Sequence, residues 1–377
     1  MSTPHAGQEI LELLEVHFVD PTALQRWKES GAARALLRTG GAGEAAYDST
    51  INAALTKLHI SHTQRFTPNE VEYFHLLDAY AAAGIRRRLK VLFPSGVRYT
   101  GIGVLTRRVK GEYFVSAVLP DSPAARAGVQ RGEQLLAVNE RPFSPVKAFL
   151  GLDRQVVSLL RRSRRELISE KISVRPRILT PGRLLRQASI SGAQVISGAR
   201  RTIGYYKPWS LAGKSHWRIL VSTLMGRLRD ADVLVLDLRN GVGGASPDYA
   251  EFFVGRSPQL CLTGPGHAAT LVNPHWRKPV VLIVDETTRS GNEVLAFALQ
   301  RAGCPVVGQR TAGEVAAAKP FLLSDCSLLL VATAQVTVDG TVLEGCGVTP
   351  DIEVVSPLPF AQASDPQFEA AIASADA

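Results

Sequence analysis

"PVVLIVDETTRSGNEVLAFALQRAG", residues 279–303, passes from an apolar run through a polar turn into a helical pattern. Pro279 to Val284 reads as a strand buried on both faces, and the residues after Ser290 read as an amphipathic helix. The same alternation recurs from about residue 202 onward, in "DVLVLDLR", "SPDYAEFFV" and "PVVGQ". Strands alternating with helices predict α/β layers around a parallel sheet. The tail "LLLVATAQVTVDGTVLEG" returns to strands about an Asp339-Gly340 turn.

Upstream the pattern changes twice. From about 95 to 178, "YTGIGVLTRRV", "EYFVSAVL", "EQLLAV" and "ELISEKISVRP" read as short strands, with "DSPAARAGVQRG" as a short capped helix closed by glycine. Residues 1–92 read as helical: Ile10, Leu13 and Leu14 recur at helical spacing, and a second helix is expected after Asp20-Pro21. "TPNEVEYFHLLDAYAAAG" predicts one helix, with Thr67 as N-cap, Pro68 at N1 and Glu70 at N3, ending at Gly84. "LHISHTQRF", before it, is too short and polar for a helix.

The chain has 377 residues, 45% of them hydrophobic and 20% charged, which predicts a globular protein of two or three domains. No apolar run reaches the roughly 18 residues of a membrane span, so no membrane association is expected. The first twenty residues lack a basic flank followed by an apolar core, which leads to an expected cytoplasmic location. Cys261, Cys304, Cys326 and Cys346 show no CxxC spacing and read as reduced, mostly buried thiols. Between Asp153 and Arg201, twelve Lys/Arg face three acidic residues, an excess equal to the net charge of the whole chain, +9. Without interleaved aromatics or a binding motif, this stretch reads as a solvated basic connector or one that attracts acidic substrates, and no nucleic-acid partner is expected.

Two turns invite chemistry. Ser290 stands where a helix begins, and the free N–H groups there would stabilise an oxyanion. Ser290 with Glu293 also fits a Ser-x-x-Glu capping box, which needs no catalysis. On this window both readings stand. In "DLRNGVGG" (237–244), Gly243 and Gly244 would let the backbone approach a ligand. Ser246 stands where a dinucleotide fingerprint needs glycine, so that reading fails and no cofactor is expected. His216, His267 and His275 read as surface residues. His59 and His62 lack a carboxylate partner in sequence and no HExxH occurs, so no metal site is expected. Ser61 and His62 sit together in a short loop.

Taken together, "GIGV", "SPAARAGVQRGEQLLAVNERPF", "VLVLDLRNGVGG", "TTRSGNEVLAFALQRAGCPVVGQRTAGE" and "LEGCGVTPDIEV" stand in the order found in C-terminal processing (tail-specific) peptidases, which most of the chain resembles. The resemblance implies an α/β multidomain protein. Residues 1–92 would form a helical domain carrying the Ser-His loop, 93–180 a PDZ domain, and 181–377 a crotonase/Clp-protease-like α/β core. It makes Ser290 the nucleophile. Exported members use a lysine base in a TxGK-like motif, but "RTAGEVAAAK" has Glu314 there and Lys319 five residues on. A second branch, similar to the tricorn protease core, places a Ser-His pair ahead of the PDZ domain and a glutamate in place of the lysine. Ser61, His62 and Glu314 match that arrangement. His62 would be the general base, with Ser61 and Glu314 in support. The oxyanion would be held by the N–H of Gly291 and of Gly243 or Gly244, a choice the sequence leaves open.

The PDZ resemblance makes Gly101, Ile102, Gly103 and Val104 the loop that binds a peptide's terminal carboxylate, with Gly101 and Gly103 keeping it open. Alternatively that domain only gates or braces the site. The expected function is a serine endopeptidase acting on flexible polypeptides with accessible C-termini, without cofactor. A catalytically inactive PDZ scaffold is the alternative. A ligand carrier is a third reading, since the retinoid-binding modules of the vertebrate eye share this core. A homo-oligomer is left open.

Overall fold

A computed structural model describes residues 6–37, 44–81, 83–164, 168–255, 260–263, 270–272 and 275–377. The chain divides into two compact units: residues 1–184 with 313–347 and 357–364, and residues 185–312 with 348–356 and 365–377. These units cut across the expected boundary at 181, because residues 313–347 pack with the N-terminal helices.

In the first unit, Ala6–His17, Pro21–Glu29, Ala32–Leu37 and Glu44–Thr56 are helices. Asp20 caps the second as expected, accepting the Ala23 N–H at 2.9 Å. Their apolar faces, including Ile10, Leu14, Leu36 and Leu55, enclose one cluster with Leu329, Val331 and Ala332 of the strand Leu328–Ala334. That strand pairs with Ala317–Leu322 on one side and with Gln64–Phe66 on the other, both antiparallel. The late hairpin is thereby part of the N-terminal core.

The helix expected from Thr67 to Gly84 is two helices, Val71–Tyr80 and Ala83–Leu92. Thr67 and Glu70 do bond, with the Thr67 N–H donating to the Glu70 carboxylate at 2.6 Å, but they form a turn ahead of the first helix. The break at Ala81 lets Phe74 and Leu77 of one helix and Ile85 and Leu89 of the next share one cluster with Tyr99 and Leu179. Tertiary burial overrides the helical preference of an alanine run.

The β-rich part has its own core of Val104, Val115, Leu135, Phe149 and Leu159. Its main sheet runs in the order Val104–Val109, Glu112–Val118, Gln134–Val138, Val157–Arg162, Glu170–Val174. Ser122 caps the short helix Pro123–Arg126 as the sequence predicts.

The second unit carries the expected parallel sheet. Its order is Gln194–Ser197, Thr202–Tyr206, Val233–Asp237, Val280–Val284, Val306–Gly308, Ile352–Glu353, and only the first pair is antiparallel. The strands Val233–Asp237 and Val280–Val284 are buried along their whole length, as parallel strands covered on both faces must be. Their C-terminal ends feed the two turns singled out above, the usual place for a site in such a sheet.

Two of the histidines give the fold a pH dependence. His75 is buried beside the Tyr99 hydroxyl at 3.4 Å. Burial lowers its pKa from 6.5 to about 4. His216 is lowered to about 4 by burial and, secondarily, by the charge of Arg186. A depressed folded-state value means the unfolded chain takes the proton first, so stability falls as pH drops from 6.5 towards 4. Each histidine then costs up to about 1.4 kcal/mol per pH unit. Urea midpoints measured across this range are expected to fall more steeply for wild type than for His75→Leu; equal slopes would contradict this.

Candidate active site

Ser290 lies at the mouth of the helix Gly291–Arg301, directly after the turn that follows the strand Val280–Val284. The capping box with Glu293 is formed, and the Ser290 N–H donates to Glu293 Oε2 at 3.2 Å. Yet the Ser290 backbone is at φ 59°, ψ −137°. An ordinary N-cap serine sits in the β region, whereas this conformation costs about 1–3 kcal/mol and concentrates at functional sites. A strained serine on a sharp strand-to-helix turn is how several hydrolases expose a nucleophile. The cap and the nucleophile are therefore compatible roles of one residue.

The turn is tightly held. Thr287 N–H and Oγ both donate to Asp285 Oδ1, at 2.8 and 2.5 Å. Thr287 Oγ in turn accepts the Asn240 N–H at 2.7 Å, which joins this turn to the glycine turn. Gly243 abuts the serine: a Cβ there would lie 3.2 Å from Ser290 Cβ and 3.7 Å from Oγ. Gly243 and Gly244 are both left-handed, at φ 81° and 83°. Leu211 N–H donates to the Gly243 carbonyl at 2.9 Å, which fixes the peptide plane carrying the Gly244 N–H. At Gly291 a Cβ would meet the Ala245 carbonyl oxygen at 2.4 Å, so only glycine fits. Ser290, Gly291 and the 243–244 turn are thus brought together within the second unit, with N–H groups of a helix start beside a hydroxyl.

Ser61 and His62 belong to the first unit, in the turn before the strand Gln64–Phe66. That strand is pinned by buried Arg65, which binds Asp48, Asp325 (2.7 Å) and Ser327 Oγ (2.8 Å). Asn52 brackets the Arg65 backbone, taking its N–H at 2.9 Å and donating to its carbonyl at 2.8 Å. Ser61 Oγ lies 3.0 Å from His62 Nδ1 and 2.9 Å from Glu344 Oε2. Glu344 also accepts the N–H groups of Ser61 (2.7 Å), Val315 (2.8 Å) and Ala316 (2.9 Å). A carboxylate only accepts, so the Ser61 hydroxyl donates to it and is left to accept from His62 Nδ1–H. In that tautomer Nδ1 carries the proton and Nε2 is the basic nitrogen of the ring.

The carboxylate held by Ser61 is therefore Glu344, a residue that the sequence did not single out. Glu314 is half-buried, one residue before Val315. Lys319, in the strand Ala317–Leu322, is exposed. Other expectations change as well. His216 and His275 are buried, not on the surface, and His267 lies outside the described residues. The four cysteines are free, but Cys261 and Cys346 are exposed and the other two half-buried, so they are not mostly buried thiols.

Gly101, Ile102, Gly103 and Val104 are all buried. Gly101 pairs with Arg177. At Gly103, with φ 77°, a Cβ would come within 2.4 Å of Ser122 Cβ. Close packing, rather than an open loop, accounts for that glycine. The strand Val104–Val109 still forms one edge of its sheet, with no second partner strand among the described residues.

Comparison with known proteins bears on this geometry. Residues 114–172 match the PDZ domain profile and residues 202–354 match peptidase family S41. A PDZ-like segment thus precedes a segment similar to an S41 peptidase core. It is 28% identical over 288 residues to the carboxyl-terminal-processing protease of Synechocystis sp., covering 68% of this chain and 64% of that protein. It is 27% identical over 278 residues to the chloroplastic carboxyl-terminal-processing peptidase 1 of Arabidopsis thaliana, covering 67% and 55%. The chain thus spans less than two thirds of the length of these curated relatives. Its fold is similar to the photosystem II D1 C-terminal processing protease, with TM-score 0.54 and 19% identity over 97% of this chain and 99% of that one. It is also similar to the tricorn protease, with TM-score 0.56 and 14% identity, over 98% of this chain and 36% of that one.

The S41 match contains Gly243, Gly244, Ser290, Gly291, Glu314 and Glu344, while Ser61 and His62 lie ahead of both matches. Within the S41 match, and on the peptidase reading proposed below, Gly243→Ala is expected to lower turnover by about 10²-fold, because it adds strain at φ 81° and crowds Ser290. Steady-state kinetics on a quenched peptide checks this; an effect confined to KM would contradict it. Among the described residues no group of side chains could hold a metal, and no helix is long and apolar enough to cross a membrane.

Proposed function

We propose that this chain is a serine endopeptidase that cuts unfolded or flexible polypeptides through an acyl-enzyme. The observation that carries the reading is Ser290, held in a strained conformation at a helix start with Gly243 against it. Ser290 Oγ attacks the scissile carbonyl carbon while His62 Nε2 takes its proton. The N–H of Gly291 and those of the 243–244 turn hold the oxyanion. His62 then returns the proton to the leaving amine as the C–N bond breaks, and water hydrolyses the ester by the same steps reversed. Glu344, through Ser61, holds the imidazole tautomer. The S41 core and the Ser-His-Glu chemistry support this assignment together.

In the same reading, substrates add a strand at the free edge of Val104–Val109 with their C-terminus near Gly101–Val104. The burial of those four residues favours the other role for the PDZ domain, gating or bracing rather than binding C-termini.

The reading is tested on a pool of unstructured peptides, as free acids and as C-terminal amides, with cleavage read by mass spectrometry. Wild type is expected to cleave and to prefer the acids; equal rates would favour the brace. Glu344→Gln is expected to lower kcat about 10- to 100-fold with little change in KM, and Glu314→Gln by less than about threefold. The reverse order would return the supporting role to Glu314. Binding without cleavage by wild type would mean an inactive scaffold.

A further inference from the structure

A buried polar cluster stands at the root of the glycine turn. Asp237 ends the strand Val233–Asp237 and is fully buried; Arg239 and Lys207 are buried beside it. Asp237 accepts from the Tyr205 hydroxyl at 2.9 Å and the Lys207 ammonium at 3.1 Å. It also accepts from Arg239 N, Nε and Nη2, at 3.0, 2.9 and 2.7 Å. The Arg239 fork then reaches Asp365, Nη1 to Oδ1 at 2.8 Å and Nη2 to Oδ2 at 2.9 Å. Two cations and two carboxylates leave the cluster neutral. Burying so many charges is costly, and such clusters are kept where they fix geometry rather than for net stability.

What they fix is the next five residues. From Arg239 the chain enters Asn240 to Gly244, and each neighbour of the turn is tied to the cluster or to the nucleophile turn. Asn240 N–H goes to Thr287, and Val242 N–H goes to the Trp209 carbonyl at 3.0 Å. The Lys207 ammonium lies over the Trp209 ring, 4.7 Å from its centre. Asp365 comes from far along the chain. It is the N-cap of the helix Pro366–Asp376, where it also accepts the Phe368 N–H at 3.1 Å.

We propose that Asp365 is a positioning residue: through Arg239 it sets the glycine turn so that its N–H groups meet the oxyanion formed on the substrate. The C-terminal helix is thereby part of the catalytic apparatus without touching substrate. This rests on the reading of Ser290 and the 243–244 turn given above. A mispointed donor weakens the transition state more than the ground state, so the effect falls on kcat and on mimics of the tetrahedral intermediate.

The test compares two inhibitors of the full chain. A peptide aldehyde adds Ser290 Oγ–H across its carbonyl, giving a hemiacetal whose oxygen occupies the oxyanion position; the matching peptide acid is a plain product. Asp365→Asn keeps an N-cap side chain and removes the charge and one of the two acceptor oxygens that Asp365 offers Arg239. It is expected to weaken the aldehyde about 10-fold or more, in step with kcat/KM, while the acid's affinity stays within about twofold. Asp365→Glu is expected to recover part of the loss. Asp376 sits at the other end of the same helix, accepting the backbone N–H groups of Ala199, Arg200 and Arg201. Asp376→Asn should lower the melting temperature without changing the ratio of the two affinities. A wild-type ratio in Asp365→Asn would overturn the inference alone. A wild type that forms no Ser290 adduct would overturn the peptidase reading and this inference with it.

Discussion

A chain carrying Ser290→Ala is expected to lose cleavage by about 10⁴-fold or more while keeping its fold. The companion substitution, Ser290→Gly, should be equally inactive but more stable than wild type by about 1–2 kcal/mol, since glycine adopts φ 59° without a Cβ clash. Urea midpoints measure the second effect. A serine that served only as a helix cap would behave oppositely, with little change in cleavage and a small loss of stability. The pair of substitutions thus separates the two roles that the capping box leaves combined.

His62→Ala is the second large effect, an expected fall of about 10³-fold in kcat with KM changed little. Added imidazole should restore a measurable fraction, because the deleted group's work is proton transfer. Ser61→Ala should cost less, since it disturbs only the link by which Glu344 fixes the imidazole tautomer. If His62→Ala kept activity within tenfold of wild type, the base would have to be sought elsewhere, with Lys319 the first candidate.

The order of strands and helices in the second unit was legible because buried parallel strands and amphipathic helices have distinct periods. Capping residues marked Asp20 and Ser122 correctly, since a cap is a local hydrogen bond. The break at Ala81 was not legible. "AYAAAG" carries no local stop signal before Gly84, and the chain turns there because Phe74 and Ile85 share one cluster.

Ser290 and the glycine turn were legible as motifs, but their contact was not, because the register of two parallel strands brings them side by side. Glu344 escaped notice for a similar reason. It stands 283 residues from Ser61, ten residues beyond the strand Leu328–Ala334 that pairs with Gln64–Phe66. Glu314 was chosen because motif position is all that a sequence offers at that range. The Arg239–Asp365 link, spanning 126 residues, is of the same kind. Long-range polar contacts leave no periodicity to read.

The central claim is that Ser290 is an activated nucleophile. The most direct measurement treats the full chain with a fluorophosphonate, which phosphonylates serines activated by a base, and maps the modified residue by mass spectrometry. A single adduct on Ser290 is predicted, absent in Ser290→Ala and formed far more slowly in His62→Ala. No adduct, or one on another residue with Ser290 unmodified, would contradict it.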